Sequence, residues 1–231
     1  MIAQFSVSVI LIIGTLAVNR QTDYILKKDL GYELDHRVII EKIDDLGNSI
    51  GAFRRSIADL PGVKSVTKTR NLVGDAIGDG LYRPLSSATP ENTIIRHFRA
   101  DPDFATTYGT DIFAGQFFSQ NTSANRDKVV INRAAAEALG LEESVGEILV
   151  NHQGAEVTVI GVMEDFHFET LNHEIKPLMI LPTDYDGYGR YLTVLLEPND
   201  ISGTLASIKS VWDEYAGGQL FEYEFFDEQF G

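Results

Sequence analysis

Tyr191–Phe226 reads YLTVLLEPNDISGTLASIKSVWDEYAGGQLFEYEFF, and its periodicity changes twice. Tyr191–Glu197 (YLTVLLE) is short and apolar, which predicts a strand. Pro198–Ser202 reads as a turn that carries a helix cap. Leu205, Ile208, Val211, Trp212 and Tyr215 then fall on one helical face. Gly217-Gly218 stops that helix, and Leu220–Phe226 (LFEYEFF) alternates as a last strand. The stretch is a β-α-β unit.

A second unit of the same style lies near the other end. Arg37–Ile43 (RVIIEKI) alternates as a strand, and Asn48 is placed to cap a helix. Ile50, Phe53, Ile57 and Leu60 give that helix one apolar face, Pro61-Gly62 ends it, and Val63–Thr69 (VKSVTKT) alternates again. Two β-α-β units about 120 residues apart predict a split ferredoxin-like α/β sandwich with the intervening chain inserted. The insertion reads as mostly β. Its strand candidates are Thr93–Arg99, Lys128–Asn132, Glu156–Met163 and Leu178–Leu181. A short helix, Arg133–Leu139, is capped by Asn132 and stopped by Gly140. Val73–Pro90, with Gly74, Gly78, Gly80, Pro84 and Pro90, reads as a boundary loop and a hinge.

Composition excludes several functions. The 231 residues are enough for one large domain or two small ones, and 44% hydrophobic content supports an ordinary core. The formal net charge is −15, a field that repels nucleic acid and anionic lipid head groups. With no cysteine there is no disulfide scaffold, no thiolate metal site and no cysteine nucleophile.

Phe5–Val18 (FSVSVILIIGTLAV) is an uncharged apolar run, followed by the polar, helical-looking Asn19–Leu30 and then by Gly31. A membrane span needs about 20 residues. The run is expected to be a truncated membrane helix that continues as a stalk. A buried core helix is the alternative, and no basic flank or cleavage pattern supports a signal peptide.

Three clusters invite a chemical reading. Gly74–Gly80 (GDAIGDG) is glycine-rich, but no GxxxxGK[ST] or G-x-G-x-x-G pattern occurs, so phosphate cradling and ATP hydrolysis are set aside. Asp165, His167, Glu169 and His173 sit in EDFHFETLNHE, where Glu169 and His173 would be i, i+4 on a helix. The plainer reading puts Phe166 and Phe168 into a core while their polar neighbours face water or brace a turn. Asp184 and Asp186 before Gly187 echo a calcium loop, but Tyr188 and Leu195 stand where ligand oxygens are needed. No G-x-S-x-G elbow anchors a serine triad. No catalytic, cofactor-binding or metal residue is assigned.

Several stretches together resemble one family, the MacB/FtsX-like ABC transporter permeases. Gln4–Ile39 is similar to a membrane helix running into a periplasmic stalk and the first periplasmic strand. Lys128–Leu149 (KVVINRAAAEALGLEESVGEIL) resembles the family's strand, helix and Leu-Gly, followed by a Gly-bounded strand. Val159–Ile180 carries G-V-x-x-D-F-H-F-x-T-L followed by I-x-P, a pattern similar to the Gram-negative envelope branch. FEYEFFDEQF resembles the segment before re-entry into the membrane.

The resemblance implies an α+β fold of two lobes behind a long N-terminal helix. Residues 1–31 would be the truncated transmembrane or stalk helix. Residues 32–72 and 186–231 would form a porter-like lobe, and 73–185 an inserted sabre-like lobe. It implies a non-catalytic domain without cofactor, facing the periplasm from the inner membrane, that transmits ATP-driven movement for export or envelope regulation. Implied partners are a cytoplasmic ATP-binding subunit, a second permease copy as homodimer, a periplasmic or outer-membrane protein, and the membrane itself. Two other expectations remain open. One is a periplasmic ligand-binding or sensor module with a cleft between lobes. The other is a metal-dependent hydrolase around His167 and His173.

Overall fold

The computed structural model describes residues 36–87, 91–168, 175–183 and 189–226. The chain divides into residues 1–30 with 231, and residues 31–230; everything described belongs to the second unit. The expected N-terminal helix therefore lies outside the described residues. Among those described, the strands are β1 (Arg37–Ile40), β2 (Val63–Thr69), β3 (Asp79–Pro84), β4 (Thr93–Ala100), β5 (Ile112–Gly115), β6 (Lys128–Asn132), β7 (Ile148–Asn151), β8 (Glu156–Met163), β9 (Leu178–Pro182), β10 (Tyr191–Leu196) and β11 (Tyr223–Phe225). The α-helices are α1 (Ile50–Ala58), α2 (Phe104–Tyr108), α3 (Arg133–Ala138) and α4 (Ile201–Tyr215). Strands dominate this mixed α/β fold.

The two quoted β-α-β units interlock. Their strands run in the order β11-β1-β10-β2, every neighbour antiparallel. Each unit thus leaves a gap that a strand of the other fills, the arrangement of a split β-α-β sandwich. Helices α1 and α4 cover one face. Val38 and Ile40 of β1, Val66 of β2, and Leu192 and Val194 of β10 point into that face and are buried with Phe53, Ile57, Ile208 and Trp212. Phe53 meets the Trp212 ring edge-on, with centroids 5.4 Å apart. Asp200 caps α4, accepting from Gly203 N at 3.1 Å. Gly62 has φ 88, and a Cβ there would lie 2.3 Å from Thr204 Oγ1, so only glycine lets the β2 turn approach α4.

The inserted strands do something else. From β4 the pairing runs to β3, β7, β8, β6 and β9, and β9 pairs β4 again. The six strands close into a ring and so leave no free edge along that path. Its inward face is aliphatic: Ile95, Val129, Ile131, Leu149, Val159 and Met179 are buried together. Asn132 caps α3 by accepting from Ala135 N at 2.9 Å, and the same oxygen accepts from Leu178 N at 2.8 Å. One amide therefore starts the helix and fixes β9 beside β6. Gly140 follows α3 with φ 66. The ring meets the four-stranded sheet through a single ladder pair, Thr69 with Ala100.

Several expectations need correction. Val73–Pro90 is not a loop throughout, because β3 occupies Asp79–Pro84 and forms a ring strand. Its glycine at position 80 hid it from pattern reading. A Cβ on Gly80 would lie 2.7 Å from the His97 ring, so the residue reflects close packing across β4. The glycine-rich part is fastened too: Leu72, Val73 and Ile77 are buried, and Gly74 N donates to Phe168 O at 2.9 Å. The first strand ends at Ile40, since Lys42 takes a left-handed conformation with φ 55 and a 3-10 stretch runs Ile43–Ser49. Asn48 lies inside that stretch and caps nothing. The last strand is shorter than the alternation of Leu220–Phe226 predicts.

Candidate functional site

Of the sequence candidates, only Asp165 and His167 lie within the described residues. Asp165 is used structurally, its Oδ1 accepting from Ala134 N at 3.0 Å. It thereby braces the first turn of α3. Phe166 and Phe168 are buried, as their alternation predicts, and His167 is half-buried between them. Glu169, His173, Asp184 and Asp186 lie outside the described residues. Among the described residues no group of three or more His, Asp or Glu is arranged to hold a metal.

The most elaborate polar structure lies at the junction of sheet and ring. Asp101 follows β4 and is 1% exposed. It accepts from Thr67 Oγ1 at 2.6 Å and from Lys68 N at 2.9 Å, both on β2. It also lies 3.1 Å from Arg54 Nη2 of α1. Arg54 pairs with Asp103 as well and donates to Val66 O at 2.9 Å. Gln120 Nε2 donates to Asp103 Oδ1 at 2.8 Å. The network thus ties α1, β2 and the end of β4 to the buried Asp101, and through Asp103 it reaches the segment after β5. Burial raises the Asp101 pKa above its ordinary value, against the opposing pull of Arg54 and the Thr67 and Lys68 hydrogen bonds.

Helix α2 sits on the sheet face opposite α1 and α4. Arg37 of β1 is 1% exposed and donates from Nε to Thr107 O at 2.6 Å. Tyr108 is fully buried, and its hydroxyl meets Thr193 Oγ1 of β10 at 3.0 Å. Burial pushes the Tyr108 pKa up to about 12, so the phenol stays a neutral hydrogen-bonding group. A file of rings then crosses from sheet to ring. Phe226 meets Tyr108 at 5.4 Å, Tyr108 meets Phe104 at 4.6 Å, and Phe104 meets Phe98 of β4 at 5.2 Å. Phe104 also lies 6.1 Å from Phe166, which lies 5.8 Å from Phe168. Such contacts bind rigidly and orient specifically, but they perform no proton transfer or nucleophilic step.

Sequence reading missed this junction. A buried Arg37 sits in what reads as the polar start of a strand, and Asp101 and Asp103 sit in an acidic chain where most carboxylates face water. The available signal was DPDF, residues 101–104, a turn whose first aspartate follows an apolar strand and precedes a helix.

The family model described as the MacB-like periplasmic core domain matches residues 1–211. The chain belongs to this family. It is therefore a periplasmic domain of a MacB-like ABC transporter permease. Solved structures share the fold of this MacB-like domain. The periplasmic region of MacB from Actinobacillus actinomycetemcomitans has a TM-score of 0.60 at 14% identity, covering 89% of this chain and 95% of that one. The extracellular domain of the ABC-type transporter YknZ from Gram-positive bacteria has a TM-score of 0.53 at 20% identity, covering 75% and 86%. A search of curated proteins found no match. Among the described residues of the MacB-like domain, no helix is long and apolar enough to cross a membrane.

Proposed function

We propose that this MacB-like domain is a non-catalytic transmitter of ATP-driven movement for export or envelope regulation. The observation that carries this reading is the bolted junction between sheet and ring. A mechanical part must pass displacement without deforming, and buried aromatic files joined to a buried ion network resist deformation because packed interiors are hardly compressible. The four-stranded sheet with α1 and α4 would be the porter-like lobe, built from residues 32–72 and 186–231. The ring would be the core of the inserted sabre-like lobe, residues 73–185. Residues 1–31 would carry the movement out of the inner membrane as a stalk. In the whole permease, a cytoplasmic ATP-binding subunit supplies the movement and a second copy completes a homodimer.

The test is uncoupling. In the reconstituted permease with its ATPase, Phe104→Ala at the centre of the file is expected to leave ATP hydrolysis within about twofold of wild type while export-dependent growth or efflux is lost. Loss of both activities in a correctly assembled complex, or retention of both, would contradict the reading.

A further inference from the structure

Away from the junction, a groove of about 580 Å³ opens between β5 and α3. Its floor is apolar, with Ala114 and Leu141 packed on the ring core and Val162 4% exposed. Its walls are also apolar and stand in water: Phe113 is 57% exposed and Val145 47%. Exposed apolar walls around an apolar floor mark interaction sites on soluble domains.

The groove is preformed. Gly115 ends β5 with φ 72, and a Cβ there would lie 2.3 Å from Ile160 O. This close approach seats β5 against β8, and Phe113 falls at the bulge between the paired Ile112 and Ala114. The Arg133 guanidinium lies 4.4 Å from the Phe113 ring centroid, and its Nη1 is 3.4 Å from Glu164 Oε1. The cation lining the groove is therefore already engaged. Glu137, Glu142 and Glu143 also line the groove. All three are exposed, and none joins an ion pair among the described residues. The open charge of the groove is negative, and so is the net charge of −15 around it.

We infer that this groove docks a segment of a partner protein that presents one apolar side chain flanked by lysine or arginine. The floor and walls take the apolar anchor, and the three carboxylates take the cations. The same charges disfavour a second copy of this acidic chain and an anionic membrane surface. The overall field would steer a basic partner inward from a distance. The inference rests on the proposed function only in placing that partner in the envelope.

Fluorescence anisotropy on the full chain tests it with three labelled heptapeptides: lysine and arginine around a central leucine, the same around a central serine, and an acidic peptide around leucine. The basic leucine peptide is expected to bind at least about tenfold tighter than either other peptide. Val145→Ser and the double variant E142Q/E143Q are each expected to weaken it by about fivefold or more, while Glu197→Gln, an exposed acidic site elsewhere, leaves it unchanged. All substituted positions are exposed, and an unchanged melting temperature confirms folding. Equal binding to wild type and both groove variants would show general attraction to an acidic surface and overturn the inference. So would no binding by any peptide up to about 1 mM. Either failure leaves the uncoupling experiment untouched.

Discussion

The two faces of the four-stranded sheet bury different chemistry. Towards α1 and α4 the covered residues are apolar: Val38, Ile40, Leu192 and Val194 with Phe53 and Trp212. Towards α2 the buried, hydrogen-bonded set includes Arg37, Thr67 and Thr193, with Asp101 and Tyr108 against them. An apolar face is non-directional and tolerates small sliding. A polar face satisfies its hydrogen bonds in one register only, because each mismatched group loses its partner in a low-dielectric interior. The helix face supplies cohesion, and the junction face fixes how the ring is held.

Substitutions can break this contrast. The largest effect is expected for Trp212→Ala on the helix face, a loss of about 3–5 kcal/mol in denaturant unfolding, from lost burial and the cavity left beside Phe53. Asp101→Ala comes next, at about 3 kcal/mol, because it leaves the buried Thr67 and Lys68 donors without their acceptor and takes one of two carboxylates from Arg54. Asp101→Asn keeps the shape and should cost less, about 1–2 kcal/mol. Equal costs for Ala and Asn would show that packing, not hydrogen bonding, governs this face. Tyr108→Phe removes one hydroxyl from Thr193 and should cost about 1 kcal/mol while the ring file stays in place.

The smallest effect concerns pH and extends the contrast into the ring. His97 packs edge-on against Tyr82 at 5.4 Å, and its Nε2 has no hydrogen-bond partner among the described residues. Burial first, then Arg99, lowers its pKa below 6.5, partly opposed by Asp79. The folded state thus favours neutral His97, so its contribution is intact above the ordinary histidine value. It fades as pH falls through 6.5 towards the folded value. Asp101 has the opposite sign, since its raised pKa makes proton uptake favour the folded state. His97→Gln should flatten the stability profile as pH falls below 6.5. An unchanged profile would show that His97 protonation is not linked to folding.

How much was legible follows from the same contrast. Apolar periodicity marks the helix face directly, and Ile50, Phe53, Ile208 and Trp212 could be placed from spacing. The bounds of β2, β6 and β8 could also be read from alternation. The junction was opaque because its residues look like surface residues: Arg37, Thr67, Asp101 and Asp103 become buried only when distant segments meet. β3 was hidden because Gly80 and Pro84 read as loop punctuation. β5 and α2 are too short to show a period. Ring closure through β4 and β9 is a long-range pairing that no local pattern contains.

The most direct measurement is the distance between sheet and ring while the permease works. The chain has no cysteine, so labels at Asp213→Cys on exposed α4 and Gln153→Cys on the exposed β7–β8 turn report selectively within it. Pulsed electron–electron distance measurement on the reconstituted permease and its ATPase, with and without ATP, would compare this pair with the Asp213 pair of two copies. A rigid transmitter keeps the sheet-to-ring distance within about 2 Å while the copy-to-copy distance shifts by more. A sheet-to-ring distance that changes by more than about 5 Å while the copies stay in place would contradict a bolted junction.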